Sequence, residues 1–134
     1  MKLSTISRPR INFTQSHEWI AWNGSVGFVG VSAYRLKEVK KITDIKYFPS
    51  KSTVERGTLI AEIHTAEEII PVLAPVACKF LGQNQQLKQN PNLIIESPQD
   101  NGWVFFVSPV KFGTQELLLS PEAYKKFTQT IVTV

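Results

Sequence analysis

The side chains in this chain that could do chemistry are few, and most fall in one stretch. His64 lies within a few positions of Glu62, Glu67 and Glu68. An imidazole among carboxylates is a metal-ligand set. A solvated acidic tip with a bystander histidine is the simpler expectation for such a polar turn. Cys78 with His17 or His64 would make a thiol nucleophile activated by a base. It sits in an apolar strand pattern, so an inert buried thiol is expected instead. Glu67 and Glu68 are adjacent, but nothing nearby supplies a substrate pocket, and they are not read as an acid/base pair. No lysine occurs between Lys51 and Lys79, so the stretch has no side-chain amine.

The elements that must position these residues read mostly as short β-strands. Gly57 to Val76 forms a β-hairpin with a polar tip at Thr65-Ala66-Glu67-Glu68. Leu59, Ala61 and Ile63 alternate with Ile60, Glu62 and His64, the period of a half-buried strand. Ile70 to Val72 returns from the tip. Upstream, Phe13 to Trp22 predicts one strand, Asn23-Gly24 a tight turn, and Ser25 to Val31 its partner. Gly27 and Gly30 in that partner imply a bulge or a close backbone approach. Ser32 caps a helix expected from Ser32 to Lys40. Ile42 to Phe48 is a further strand, stopped by Pro49, and Gly57 is expected at positive φ. A strand is expected from Ala74 through Leu81, a loop or single helical turn over Asn84 to Gln89, and a strand over Trp103 to Ser108. Ser120-Pro121-Glu122 starts a C-terminal helix running to about Gln129. Ile131 to Val134 reads as a short strand or a frayed end.

At 134 residues the chain is long enough for one domain with its own core. The reading is an N-terminal extension over 1–12 and a single domain over 13–134 that includes the C-terminal helix at 121–129. No apolar run is long enough to cross a bilayer, and the first ten residues have no apolar signal core, so a cytoplasmic location is the default expectation. A lone cysteine rules out an internal disulfide. The net charge of +4 mildly favours acidic partners. Its densest cluster, Arg35, Lys37, Lys40 and Lys41, suits a solvated helix face, and no nucleic-acid motif accompanies it.

Four pieces of the sequence, in order, resemble the H-protein family of the glycine cleavage system. They are Phe13-Thr14-Gln15-Ser16-His17-Glu18-Trp19-Ile20; Gly27 to Tyr34; Ala74-Pro75-Val76 leading on to Asn84; and Asn90-Pro91-Asn92-Leu93-Ile94 with Ser97-Pro98 and Gly102-Trp103. The resemblance implies a mostly β fold: a flattened lipoyl/biotinyl-type β-barrel, or barrel-sandwich hybrid, with a short helix after the first hairpin and a C-terminal helix. It also implies that the hairpin is the element that presents lipoyl-lysine, and that Trp19, Phe28, Trp103 and Phe105 are core.

Counting back from Ala74-Pro75-Val76, the family's Glu-Ser-Val-Lys-Ala falls on His64-Thr65-Ala66-Glu67-Glu68. Glu67 therefore stands where the attachment lysine is expected. Lipoate is joined by an amide, which needs an amine that glutamate lacks. The resemblance then implies no lipoate at this site and a non-catalytic, protein-binding role. The tip residues 64–68 are the expected contact, with glycine-cleavage, lipoate-handling or related redox enzymes as partners. The alternative is a lipoyl carrier modified at another lysine such as Lys79. Nucleic-acid binding by a small basic barrel is the least supported reading.

Overall fold

Asn23-Gly24 does what its sequence predicts. Gly24 takes φ 61°, and the turn joins β2 (Glu18–Asn23) to β3 (Val26–Val31) in antiparallel register. In a computed structural model, described over residues 10–110 and 118–132, this hairpin is the centre of a five-stranded sheet ordered β1-β2-β3-β8-β7. Its other strands are β1 (Arg10–Phe13), β7 (Cys78–Gln83) and β8 (Phe105–Pro109). A second, three-stranded sheet contains β4 (Ile42–Tyr47), β5 (Leu59–Thr65) and β6 (Ile69–Leu73). The architecture is mostly β, with both sheets antiparallel and a C-terminal helix.

Successive side chains of a strand point to opposite faces, and β2 buries both. Ile20 joins Val29, Val31, Phe105 and Val107 of the first sheet to Ile60, Ile63, Ile70 and Val72 of the second in one apolar cluster. Trp19 and Ala21 face the other way and pack with Phe13, Phe28, Trp103 and Tyr124. Trp19, Phe28, Trp103 and Phe105 are all buried, as expected of core residues. Gly27 and Gly30 sit in an unbroken register, so their reason is close approach and not a bulge. A Cβ at Gly30 would stand 2.6 Å from the Trp19 ring, and one at Gly27 2.5 Å from Ile20 Cδ1.

Several boundaries differ from the sequence reading. Phe13 to Trp22 is not one strand but the end of β1, a turn, and β2. The turn closes through the Thr14 N–H to the Glu18 carbonyl (2.9 Å), and His17 takes φ 75°. β1 takes in Arg10–Asn12, within the stretch expected as an extension; residues 1–9 lie outside the described ones. The first helix, α1, is only Ala33–Leu36, because the chain must turn back to place buried Val39 and Ile42 in the core. Ala74 to Ala77 is irregular, and the strand expected there begins at Cys78. Leu59 is exposed while Ile60 is buried, since the register shifts between Leu59 and Ala61. A short helix, α2 (Leu93–Glu96), was not anticipated. The last helix, α3 (Pro121–Val132), runs beyond Gln129 and absorbs Ile131 and Val132; residues 133–134 are outside the described ones. Gly57 has φ 90°, as expected, and Asn84 caps a 3-10 turn over Gln85–Lys88.

Candidate functional site at the hairpin tip

The tip is a four-residue turn organised by one hydroxyl. Thr65 Oγ1 accepts the N–H of Glu67 (3.2 Å) and of Glu68 (3.0 Å), and donates to the Glu68 carbonyl (2.9 Å). The Thr65 N–H donates to the same carbonyl at 2.9 Å. A short side chain that satisfies the amides two and three residues on is the usual way to lock such a turn. Ala66, Glu67 and Glu68 are exposed. The tip lies against the segment after α1, and the cleft between them is lined by Glu38, Val39, Lys40, Lys41 and the turn. At about 60 Å³ it is far below the size of a small-molecule pocket, so the tip is a surface and not a receptor cavity.

The two adjacent carboxylates have different surroundings. Glu68 is paired with Arg35 of α1, Nη2 to Oε1 at 2.8 Å and Nη1 to Oε2 at 3.5 Å. The Arg35 hydrogen bond holds the Glu68 carboxyl below its ordinary range. Among the described residues the Glu67 carboxylate has no such ion pair; its N–H donates to Thr65 Oγ1, and its side chain stands exposed. Arg35 therefore does not belong to a uniformly solvated basic face. Lys37 lies over the Tyr34 ring, 4.5 Å from its centroid, while Lys40 and Lys41 remain exposed.

The other candidates separate. His64 pairs with Glu62 through Nε2 at 3.2 Å. Among the described residues no three of His, Cys, Asp and Glu gather as a metal-ligand set. Cys78 is fully buried, and burial pushes its thiol up to about 11. His17 is bonded through Nδ1 to the Tyr124 hydroxyl at 2.7 Å, so each imidazole is engaged away from the thiol. Lys79 is exposed near the start of β7, opposite Ser108, beside a groove of about 560 Å³ shared with Pro49, Ser50, Lys51 and Phe80. It lies on a strand of the first sheet, whereas the tip ends a hairpin of the second. No helix among the described residues is long and apolar enough to cross a membrane.

Sequence reasoning did not single out the residues that hold the hairpin's base. Glu18, 2% exposed, accepts Thr14 Oγ1 and Ser16 Oγ, each at 2.5 Å, and the Leu73 N–H at 3.2 Å. Leu73 ends β6, so this carboxylate ties the first sheet to the foot of the hairpin. Its neighbours do related work. Trp19 Nε1 donates to the carbonyls of Pro98 (2.9 Å) and Val31 (3.2 Å), and His17 ties the turn before β2 to α3 through Tyr124. The signal was present as His17-Glu18-Trp19, but nothing local to it points at Leu73.

The sequence model described as "Glycine cleavage H-protein" matches residues 11–131. The chain is 30% identical to a glycine cleavage system H protein of Bacteroides thetaiotaomicron over 115 residues, covering 86% of this chain and 91% of that protein. It is 27% identical to the one of Thermotoga maritima over 115 residues, covering 86% and 93%. A crystal structure of a glycine cleavage system H protein from Mycobacterium marinum has the same fold, with a TM-score of 0.77 and 21% identity over 92% of this chain and 99% of that one. The chain therefore belongs to the glycine cleavage H-protein family, whose members are carrier proteins and not catalysts.

Proposed function

We propose that this chain is a non-lipoylated docking module. It offers the hairpin tip, Thr65 to Glu68 with His64 beside it, to proteins that handle lipoyl carriers or take part in glycine cleavage. The observation that carries this reading is the tip itself. Its backbone turn is locked by Thr65, and counting back from Ala74-Pro75-Val76 puts an exposed glutamate, Glu67, where the family's attachment lysine is expected. Lipoate does not fit there. The side chains of residues 65–68 are a hydroxyl, a methyl and two carboxylates, and none can form the amide. A partner is recognised by the shape of the turn and by the free charge of Glu67, which steers a basic surface towards it.

Co-expression with a lipoate ligase tests the reading. Trypsin releases the tip in one peptide from Gly57 to Lys79, which makes mapping direct. The expected result is an unmodified intact mass for the parent and a lipoyl increment for Glu67→Lys. A lipoyl group on Lys79 of the parent would overturn the reading in favour of a carrier modified elsewhere. A well-folded Glu67→Lys protein that the ligase ignores would remove the support for the tip as a presented element. Glu67→Gln should weaken capture of a lipoyl-handling partner and leave melting unaltered, since exposed charges contribute only about 0–1 kcal/mol to stability.

A further inference from the structure

We infer that Arg35 is the positioning residue of the hairpin tip, clasping Glu68 so that position 67 is presented in a fixed direction. The inference rests on the docking reading for its purpose, but on separate contacts for its geometry. Arg35 starts from a rigid base. Its own N–H is held by Ser32 Oγ at 3.2 Å, and fully buried Ser32 is bonded to the Tyr124 hydroxyl at 2.6 Å. From there the guanidinium reaches across to the hairpin turn and meets Glu68 through Nη2 at 2.8 Å, with Nη1 at a longer 3.5 Å from the second oxygen. Bidentate Arg–carboxylate pairing fixes direction as well as distance.

At the other end of the contact, the Glu68 backbone N–H and carbonyl are both tied to Thr65. A pull on the Glu68 carboxylate is therefore transmitted to the whole turn, Glu67 included. Without the clasp, the free end of the hairpin is held to its own sheet by the Ile42–Thr65 pairing and by Thr43 Oγ1 donating to the His64 carbonyl at 3.0 Å. The side chains of the pair are partly exposed, 29% for Arg35 and 43% for Glu68, so solvent and salt can reach it. The two carboxylates of the tip thus divide their roles: Glu68 is spent on geometry, and Glu67 faces outwards.

The test compares the parent with Arg35→Gln, Glu68→Gln and the charge-swapped double variant Arg35→Glu/Glu68→Arg. Amide exchange of residues 66–69 is read by mass spectrometry at low and high salt. Exchange at the tip should speed up about two- to fivefold in each single variant, the range expected of a partly exposed ion pair. The double variant should restore protection, and high salt should erase the difference between parent and variants. In a Glu67→Lys background, Arg35→Gln should raise the ligase KM for the protein by a similar factor and leave kcat unchanged. Tip exchange that ignores Arg35→Gln would overturn the clasp. So would a tip that loosens with no change in KM. The two ideas fail separately. If Glu67→Lys is never modified while tip exchange still follows Arg35, the docking reading falls and the clasp stands.

Discussion

Removing the Glu18 carboxylate should loosen the molecule at the foot of the hairpin. Glu18 is almost wholly buried, and its two oxygens accept two hydroxyls and one backbone N–H. Hydrogen bonds to a charged group contribute about 1.5–3 kcal/mol each when the alternative is a buried, unpaired partner. Not all of that is lost in Glu18→Ala. Thr14 Oγ1 still has the Glu18 carbonyl at 3.4 Å, and exposed Ser16 turns to water. The Leu73 N–H loses its acceptor, and a side-chain-sized gap opens beside it. The expected cost is about 2–4 kcal/mol, which for a chain of this length lowers the melting temperature by about 8–16 °C. Glu18→Gln keeps the volume and one acceptor oxygen, so its cost should be about 1–2 kcal/mol. Ser16→Ala should cost under about 1 kcal/mol. Thermal melts and urea midpoints of the three variants measure this order directly. A Glu18→Ala protein melting within about 4 °C of the parent would refute the argument that this carboxylate ties the two sheets together.

Other outcomes follow from contacts already described. Gly102→Ala should destabilise strongly, by about 3 kcal/mol or more, because its Cβ would stand 2.6 Å from the Leu93 carbonyl oxygen and 2.7 Å from that of Ser97, backbone atoms that cannot swing aside; chemical denaturation reads it. Cys78 should resist iodoacetamide at neutral pH in the folded protein and react fully in denaturant, since the thiol is buried and pushed up to about 11. His17 makes stability depend on pH. Burial first, and Arg35 second, hold its imidazole below the ordinary 6.5, so the unfolded chain binds the proton more readily. Its contribution is present above pH 6.5 and is lost as the pH falls through the lowered folded value. His17→Asn, which tolerates the positive φ, should flatten the fall in melting temperature between about pH 7 and pH 5 relative to the parent; an unchanged fall would assign that dependence elsewhere.

The hairpins were legible because their signals are local. Asn23-Gly24 names its own turn, and the apolar alternation on both sides of residues 65–68 names the tip. The cap at Ser120 is equally local, with the Ala123 N–H on its hydroxyl at 3.1 Å. What escaped was set by partners far away in sequence. Nothing around Arg35 announces Glu68, and nothing around Glu18 announces Leu73, because those pairings exist only once the two sheets have packed. The break at Thr14 to His17 was hidden by flanking strand formers, and its signature is a serine and threonine folding back on Glu18. At Leu59 the period-two pattern placed the wrong side chain inside, since a register shift cannot be seen in alternation. Helix α2 did have a visible start in Asn90-Pro91-Asn92, but one turn is too short for a periodic stripe.

The borders of the two sheets have a consequence for how this molecule keeps company with copies of itself. An open sheet border is a template on which another chain can add a strand and begin to aggregate. Here the border at β1 is partly occupied, Phe13 bridging to Leu119. β7 carries the exposed cation Lys79 between Cys78 and Phe80, and charge on a border strand discourages a neighbour. β6 has Pro71, which has no N–H to offer, and β4 begins with a register irregularity between Ile42 and Asp44. Lys79 thus places a charge on a border strand, where it discourages strand addition. Replacing Lys79 and Pro71 with valine would keep the strands and remove both guards, and light scattering on concentrated samples would show the self-association they hold back.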